Sequence, residues 1–530
     1  MSKTASSPSP STHVSDEEKG ARVSVVQEEN RETPLYNPDV DISGVDERKL
    51  MRKIDLRLVP WLALLYLLSF LDRTSIGNAK LYGMEKDLHI TDTQYLIGTL
   101  QRLPQASATL VMALRPHAIM GHYDGAQSLR ACTLHALIQA QTVQGLVHNY
   151  GGLLGMRWML GMMEAGLFPG VNYYLSCWYK RSEFGLRAAI FFSAASVSGA
   201  FGGLLAAAIS NMEGVGGKAG WSWIFILEGL ATILAGIISF WIIQDFPDTA
   251  KFLSEAERTV VVRRLQSDDQ FSAAGENLRW KYIWKSVFDW KTWIGMVVYV
   301  GSDMPLYAFS LFLPSIISQL GFKATAANLL TVPVYAFACI MTCLVGWFAD
   351  RKGQRGLLNI LFLCLGGAGY IILIASRSAA LSYFAVFLAT CGIYPLIPNT
   401  IAWVSNNVEG SYKRSVTLAM VISFGNINGA VSSNVYRARD APWYPLGHGL
   451  VLMYIGFGLI ASTSFYIYLK RENTAKERGE RDEVIDGDDV DSKEDPEVRE
   501  ARARKNGRFT SVAEAKREKG DEWSGYRYTL

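Results

Sequence analysis

Apolar residues gather in long runs at 58–71, 188–209, 221–243, 293–317 and 446–469. All but the first reach the roughly 18–20 residues a helix needs to cross a ~30 Å hydrocarbon core. Lys, Arg, Asp and Glu crowd instead into 1–57, 246–291 and 470–530 and are nearly absent between. A string of soluble domains would not segregate its charge in this way. The pattern predicts an all-α, polytopic membrane protein.

Of the 530 residues 49% are apolar and 19% charged, as expected of a chain that lies mostly in a lipid bilayer. With 52 Lys and Arg against 49 Asp and Glu the net charge is +3, and no basic patch is interleaved with aromatics, so nucleic acid is not expected as a partner. Cys132, Cys177, Cys339, Cys343, Cys364 and Cys391 stand in mostly apolar surroundings. Cys339 and Cys343, at i and i+4, lack further Cys or His to complete a zinc site, so all six are expected to be buried small apolar residues, with no metal and no cofactor. Residues 1–57 open on ASSPSPST, turn charged and contain no early apolar core, which predicts a disordered, uncleaved tail. Residues 470–530 mix acidic and basic blocks and cannot bury enough apolar surface to fold alone, which predicts a charged tail, helical or regulatory.

Basic residues set the expected orientation, since cytoplasmic loops carry the excess. Arg52, Lys53 and Arg57 precede the first span; Lys180, Arg181 and Arg187 follow the fourth; Arg351, Lys352 and Arg355 follow the eighth; Lys413 and Arg414 precede the eleventh; Lys470 and Arg471 follow the last. Alternation then places both termini in the cytoplasm and requires an even number of spans. Twelve fit, as a bundle of six in 58–245, a central cytoplasmic loop in 246–292 and a second bundle of six in 293–469. Two such halves suit a transporter. No metal cluster, phosphate loop or nucleophile signature speaks for an enzyme.

The segment GWFADRKGQR, with Gly346, Asp350, Arg351, Gly353 and Arg355, resembles the loop motif of the major facilitator superfamily. Gly346 would let two helices approach closely, and Asp350 with the basic residues can form charge-assisted bonds to helix ends, so a conformational clamp is expected there. An ordinary basic loop is the plain alternative. LLYLLSFLDRTSIGNAKLYGMEKDL, RWMLGMMEAGLFPGVNYYLSCWY, SGAFGGLLAAAIS, GWSWIFILEG and DFPDTAKFLSEAE resemble, in turn, signatures of the fungal anion:cation symporters, the allantoate and nicotinate permease group of that superfamily. The resemblance implies proton-coupled uptake of a small organic carboxylate by a monomer in the plasma membrane.

The residues themselves suit that chemistry. Asp72 and Arg73 continue the first apolar span, and Arg157 and Glu164 lie seven apart in the fourth. An ionisable group within a span costs roughly 2.5–3.5 kcal/mol on insertion scales and so normally faces a polar cavity or another charge. Seven residues are about 700° of helix, which sets Arg157 and Glu164 on one face two turns apart. A guanidinium suits a carboxylate, and a carboxyl in a partly dry cavity can exchange protons. By similarity to the wider organic-anion group, Asp72 and Glu164 would be the proton-coupling carboxyls and Arg73 and Arg157 the substrate or gating cations. The alternative is that Asp72/Arg73 and Arg157/Glu164 are ion pairs that only fix helix packing. Asn172, Tyr173, Tyr307, Tyr394 and Asn426 are further substrate-side candidates, and Glu228, Tyr299 and Asn399 weaker ones. Gly199, Gly203 and the 425–429 segment are expected at close helix contacts.

Residues 101–144 break the pattern. Where spans two and three belong stand Arg102, Arg115, Arg130, three His and six Gln with Pro104 and Pro116, and no 18-residue apolar window. The first-half copy of the Asp-Arg loop is absent, and the resemblance resumes abruptly at 145–152. A local error of reading frame in the inferred coding sequence would produce this combination; a transcript matching the sequence without interruption across 98–152 would exclude it. A nutrient sensor with signalling tails, or a homologue that no longer transports, are the rival readings.

Overall fold

The computed structural model describes residues 36–91, 94–95, 107, 141–244, 246–267, 280–321, 324–432, 434–436, 440, 443–486 and 495–530. The second and third expected spans, with Cys132, fall outside the described residues. Among those described, nine helices are long and apolar enough to cross a membrane.

In the first half these are α1 (Glu47–Leu81), α4 (Arg181–Ser210) and α5 (Gly220–Ile242), with a broken helix, α2 (Tyr150–Glu164) and α3 (Leu167–Ser176), between them. Two short helices, α6 (Glu255–Ser267) and α7 (Trp280–Phe288), occupy the central segment. The second half holds α8 (Trp290–Gln319), α9 (Ala324–Lys352), α10 (Arg355–Ala375), the broken pair α11 (Ala379–Ile393) and α12 (Leu396–Asn406), α13 (Ser411–Ser432) and α14 (Pro445–Glu477). Helix α1 packs on α4 and α5, and α8 packs on α13 and α14. The halves meet along α4 and α9.

Both breaks lie four residues before a proline, although Pro60, Pro305, Pro314 and Pro333 stand inside unbroken helices. Proline has no N–H and its ring crowds the carbonyl four residues back. Pro169 therefore opens the ladder at Ala165, and Pro398 opens it at Tyr394, the positions where the helices part. Each half thus carries one interrupted helix, and the interruptions lie beside Glu164 and at Tyr394.

Helix α1 begins inside the stretch expected to be disordered. The Asp46 carboxylate caps it by accepting hydrogen bonds from the Arg48 and Lys49 amides. Arg187 with Asp55 (2.8 Å), Lys53 with Glu257 (2.8 Å) and Arg264 with both Glu183 (2.6 Å) and Glu47 then tie its first turns to α4 and α6. Partners far along the chain order this charged stretch, and its composition could not name them.

The described residues of 470–530 pack on the second half. A two-stranded parallel pair joins β1 (Val484–Ile485) to β2 (Arg508–Phe509), with α15 (Pro496–Asn506) between and α16 (Val512–Lys519) after. Asp521, 1% exposed, binds the ammonium groups of Lys291 and Lys413, the latter at 2.7 Å. Burial opposes the charged form of Asp521, but Lys291 and Lys413 outweigh it and hold its pKa down to about 2.

Of the cysteines, Cys177 and Cys391 are buried as expected, whereas Cys339 and Cys343 are half-buried and Cys364 is exposed. An apolar outer face is no penalty for a helix surrounded by lipid. Gly199 lies against the Tyr335 ring and Gly425 against Tyr299, but Gly203 has open space in front of it and is not a contact position.

Candidate functional site

Asp72 and Arg73 are adjacent on α1 and both are buried. The Arg73 Nε donates to Glu164 Oε2 at 2.7 Å, and its Nη2 donates to the Ser69 hydroxyl one turn earlier at 3.2 Å. The pair therefore joins α1 to the broken end of α2, so in place of the alternative pairings, Asp72 with Arg73 and Arg157 with Glu164, the structure has Arg73 with Glu164. Neighbours on one helix turn away from each other by 100° and rarely meet. Arg157 and Glu164 do share the buried face of α2, as their spacing predicts. The Arg157 guanidinium lies 5.7 Å from the Phe225 ring centroid and reaches the Asp72 carbonyl at 3.5 Å.

Both carboxylate oxygens of Asp72 are enclosed and form no well-directed hydrogen bond to a described residue, although Thr232 lies beside them. Glu228 on α5, 4% exposed, also has both oxygens enclosed without such a partner. Gln141 closes the group by donating to the Ser75 hydroxyl at 2.9 Å. Three carboxyl groups and two guanidiniums thus share one buried region of the first half. Burying unequal numbers of opposite charges is costly, which sets this region apart from ordinary packed core.

The second half presents a polar face towards it. Tyr307 on α8 lies within electrostatic reach of Arg73, and its hydroxyl meets Asn426 Oδ1 at 3.4 Å. Tyr394, at the break between α11 and α12, shares a hydrogen bond with Ser310 at 3.0 Å, and its ring meets Tyr335 edge-on. Asp303, 1% exposed and one turn from both Tyr299 and Tyr307, belongs to this face and is not among the sequence candidates. The rule that singles out Asp72, an acid inside an apolar span, applies equally to VGSDMPLY and would have found it.

Two candidates lie elsewhere. Asn172 donates to the Phe168 carbonyl of its own helix at 2.8 Å, and the Tyr173 ring packs edge-on against Phe246, nine residues beyond Glu164. Nine residues are about 13.5 Å of helical rise, which carries Tyr173 towards the end of the bundle and away from Arg73.

The loop motif forms a second cluster. Asp350 accepts a hydrogen bond from the Leu186 amide of α4 at 2.6 Å and pairs with the Arg355 guanidinium. Arg355 also meets Asn399 Oδ1 at 3.4 Å, and the Asn399 amide donates to Arg355 O and to Asn359, so Asn399 serves this network. A Cβ on Gly346 would stand 2.5 Å from that of Ala189, and one on Gly185 would collide with Arg355 and Asp350. The two glycines let α4 and α9 touch. Gly353 has φ +65°, the left-handed turn that ends α9. Arg351 takes no part in the clamp; it lies over the Trp347 ring at 4.4 Å.

A family model for the Major Facilitator Superfamily matches residues 62–433. An uncharacterized transporter of Schizosaccharomyces pombe is 32% identical over 458 residues, covering 86% of this chain and 92% of that protein. The MFS-type transporter cnsO of Penicillium expansum is 32% identical over 496 residues (90% and 94%), and the high-affinity nicotinic acid transporter of Saccharomyces cerevisiae 31% over 438 (81% and 79%). Among solved structures, the proton:xylose symporter XylE aligns with a TM-score of 0.57 at 14% identity, over 79% of this chain and 96% of that one. A bacterial homolog of the human lysosomal transporter Spinster, inward-facing and unoccupied, aligns at 0.54 and 15%, over 80% and 97%. Those identities speak for the fold alone. The chain is a multi-pass membrane protein that belongs to the major facilitator superfamily and groups with its fungal transporters.

Proposed function

We propose that this transporter takes up a small organic carboxylate, such as nicotinate, allantoate or a related acid, together with protons. The observation that carries the reading is the buried Arg73–Glu164 pair beside Arg157 and the unbonded carboxylate of Asp72. While Glu164 is ionised it occupies Arg73. A proton on Glu164 weakens that bond and frees a guanidinium for an incoming carboxylate, which links the two loads in one step. Tyr307 and Asn426 offer hydroxyl and amide groups to the remainder of the substrate, and Tyr394 lies further along the same polar face. The relative that is a nicotinic acid transporter supports the substrate class.

The test is radiotracer uptake of a panel of such acids in cells lacking their own permeases, with and without an acid-outside pH step. Accumulation of at least one acid that rises with the step supports the reading, and none across the panel in cells displaying the protein overturns it. Arg157→Lys keeps the charge but loses the planar fork, so substrate KM should rise about tenfold while the response to the pH step persists. An unchanged KM would remove Arg157 from the substrate site.

The basic loops support an orientation with both termini in the cytoplasm; the plasma membrane and a monomeric state rest on the family resemblance. A protease added to intact cells should leave tags at either end uncut; cleavage of one reverses that end.

A further inference from the structure

Residues 523–530 lie across the end of the molecule that carries Asp350. Most of their anchors belong to the second half. Asn407 brackets Thr529, donating to its carbonyl at 3.0 Å and accepting from its amide at 2.8 Å, and the Trp403 indole donates to the same carbonyl at 3.0 Å. Asn473 brackets Tyr528 in the same way, at 2.8 and 2.9 Å. The Lys476 ammonium donates to the carbonyls of Asp521, Trp523 and Tyr526. Tyr526 and Tyr528 are buried in an apolar cluster with Trp403, Phe465 and Leu469.

The first half is reached at Arg181, the residue that opens α4. Its guanidinium lies 5.2 Å from the Tyr526 ring centroid. The Tyr526 hydroxyl donates to the Asn406 carbonyl at 2.7 Å, while the Asn406 side chain donates to the Arg181 carbonyl at 3.1 Å. Tyr526, Asn406 and Arg181 thus form one bridge between the halves. Gly185 and Leu186, which touch Asp350, follow about one turn later on the same helix. The bridge and the Asp350 clamp therefore close the same seam.

We propose that the cytoplasmic end of the second half is a docking seat for this chain's own 523–530 segment, which from that seat latches the first half through Tyr526 and Arg181. The proposal rests on the reading that the halves part at this end during transport. The bracketing amides and the lysine fix the segment in its seat, whereas among the described contacts Arg181 is met across the seam by the Tyr526 ring and the Asn406 side chain, so separation occurs at Arg181 and leaves the segment docked. Each opening must break this contact, and its strength biases the molecule towards the form closed at this end.

Hydrogen–deuterium exchange of the full chain in nanodiscs tests it without a substrate, so that a failed uptake reading leaves the outcome interpretable. In Tyr526→Ala, peptides covering 181–189 and 346–356 should exchange about three- to tenfold faster than in the unmodified chain. Tyr526→Phe keeps the ring over Arg181 and loses only the hydroxyl, so it should give a smaller increase in the same two peptides and provides the reading if the Ala variant does not assemble. Faster exchange confined to 403–408 and 470–478, with 181–189 unchanged in both variants, would overturn the latch and leave a tail packed on one half. Unchanged exchange throughout overturns it as well.

Discussion

Glu164→Gln is expected to abolish accumulation of substrate against its gradient while counterflow exchange of labelled substrate continues. The glutamine has the shape of the protonated acid but cannot release a proton, so the carrier can move its substrate between sides but cannot be driven by a pH gradient. The geometry adds a second expected effect. Arg73 would remain buried, with Ser69 as a neutral partner in place of the carboxylate 2.7 Å away. Removing one partner of a buried ion pair typically costs about 3–5 kcal/mol, so the variant should unfold at lower temperature. A carboxylate substrate would restore the missing charge, so saturating nicotinate should raise the midpoint of the variant more than that of the unmodified chain. If the variant still concentrates substrate after an acid-outside step, the coupling group is Asp72 or Glu228. These measurements require a chain whose second and third spans are competent.

Asp350→Asn should slow net uptake about tenfold or more at unchanged surface abundance. The carboxylate accepts from the Leu186 amide of the first half and pairs with Arg355 of the second, so one residue joins both halves. Hydrogen bonds to charged groups contribute about 1.5–3 kcal/mol, and each 1.4 kcal/mol is a factor of ten in a conformational equilibrium. The amide retains the shape and loses the charge, which leaves the Arg355 guanidinium to Asn399 among the described side chains and destabilises the form closed at this end. Surface biotinylation alongside initial uptake rates is the measurement. Full uptake with Asp350→Asn would reduce the cluster to helix packing. Gly185→Leu should be more severe, because its side chain would enter the space held by Arg355 and Asp350 and push α4 from α9.

The spans legible in the sequence are those whose evidence is local. A run of some twenty apolar residues has one stable conformation in lipid, a helix that bonds its own backbone, so 188–209, 221–243 and 293–317 could be read without knowledge of their neighbours. The helix breaks were not legible in this way: they precede Pro169 and Pro398, but Pro60, Pro305, Pro314 and Pro333 stand inside unbroken helices, so a proline alone does not locate a break. The spacing of Arg157 and Glu164 did fix their common face, because helical rotation is local. Asp303 was within reach of the same reasoning.

Other features depended on residues that are far apart in the chain. Arg73 and Glu164 are 91 positions apart, and Asp350 and Leu186 are 164 apart. Charge alone allowed Arg73 to pair with Asp72, and only the approach of α1 to the broken end of α2 selected Glu164. The composition of 470–530 led to the expectation of a tail that does not fold alone, but Lys291, Lys413 and Asn407, on which the segment rests, are supplied by the fold. The chain by itself determined where the long apolar helices run and which ionisable residues they carry, because these follow from interactions within a few residues. Which charge meets which, and what the charged segments rest on, was decided by helix packing, because an ion pair or a hydrogen bond forms only between groups that the tertiary structure brings within about 3 Å.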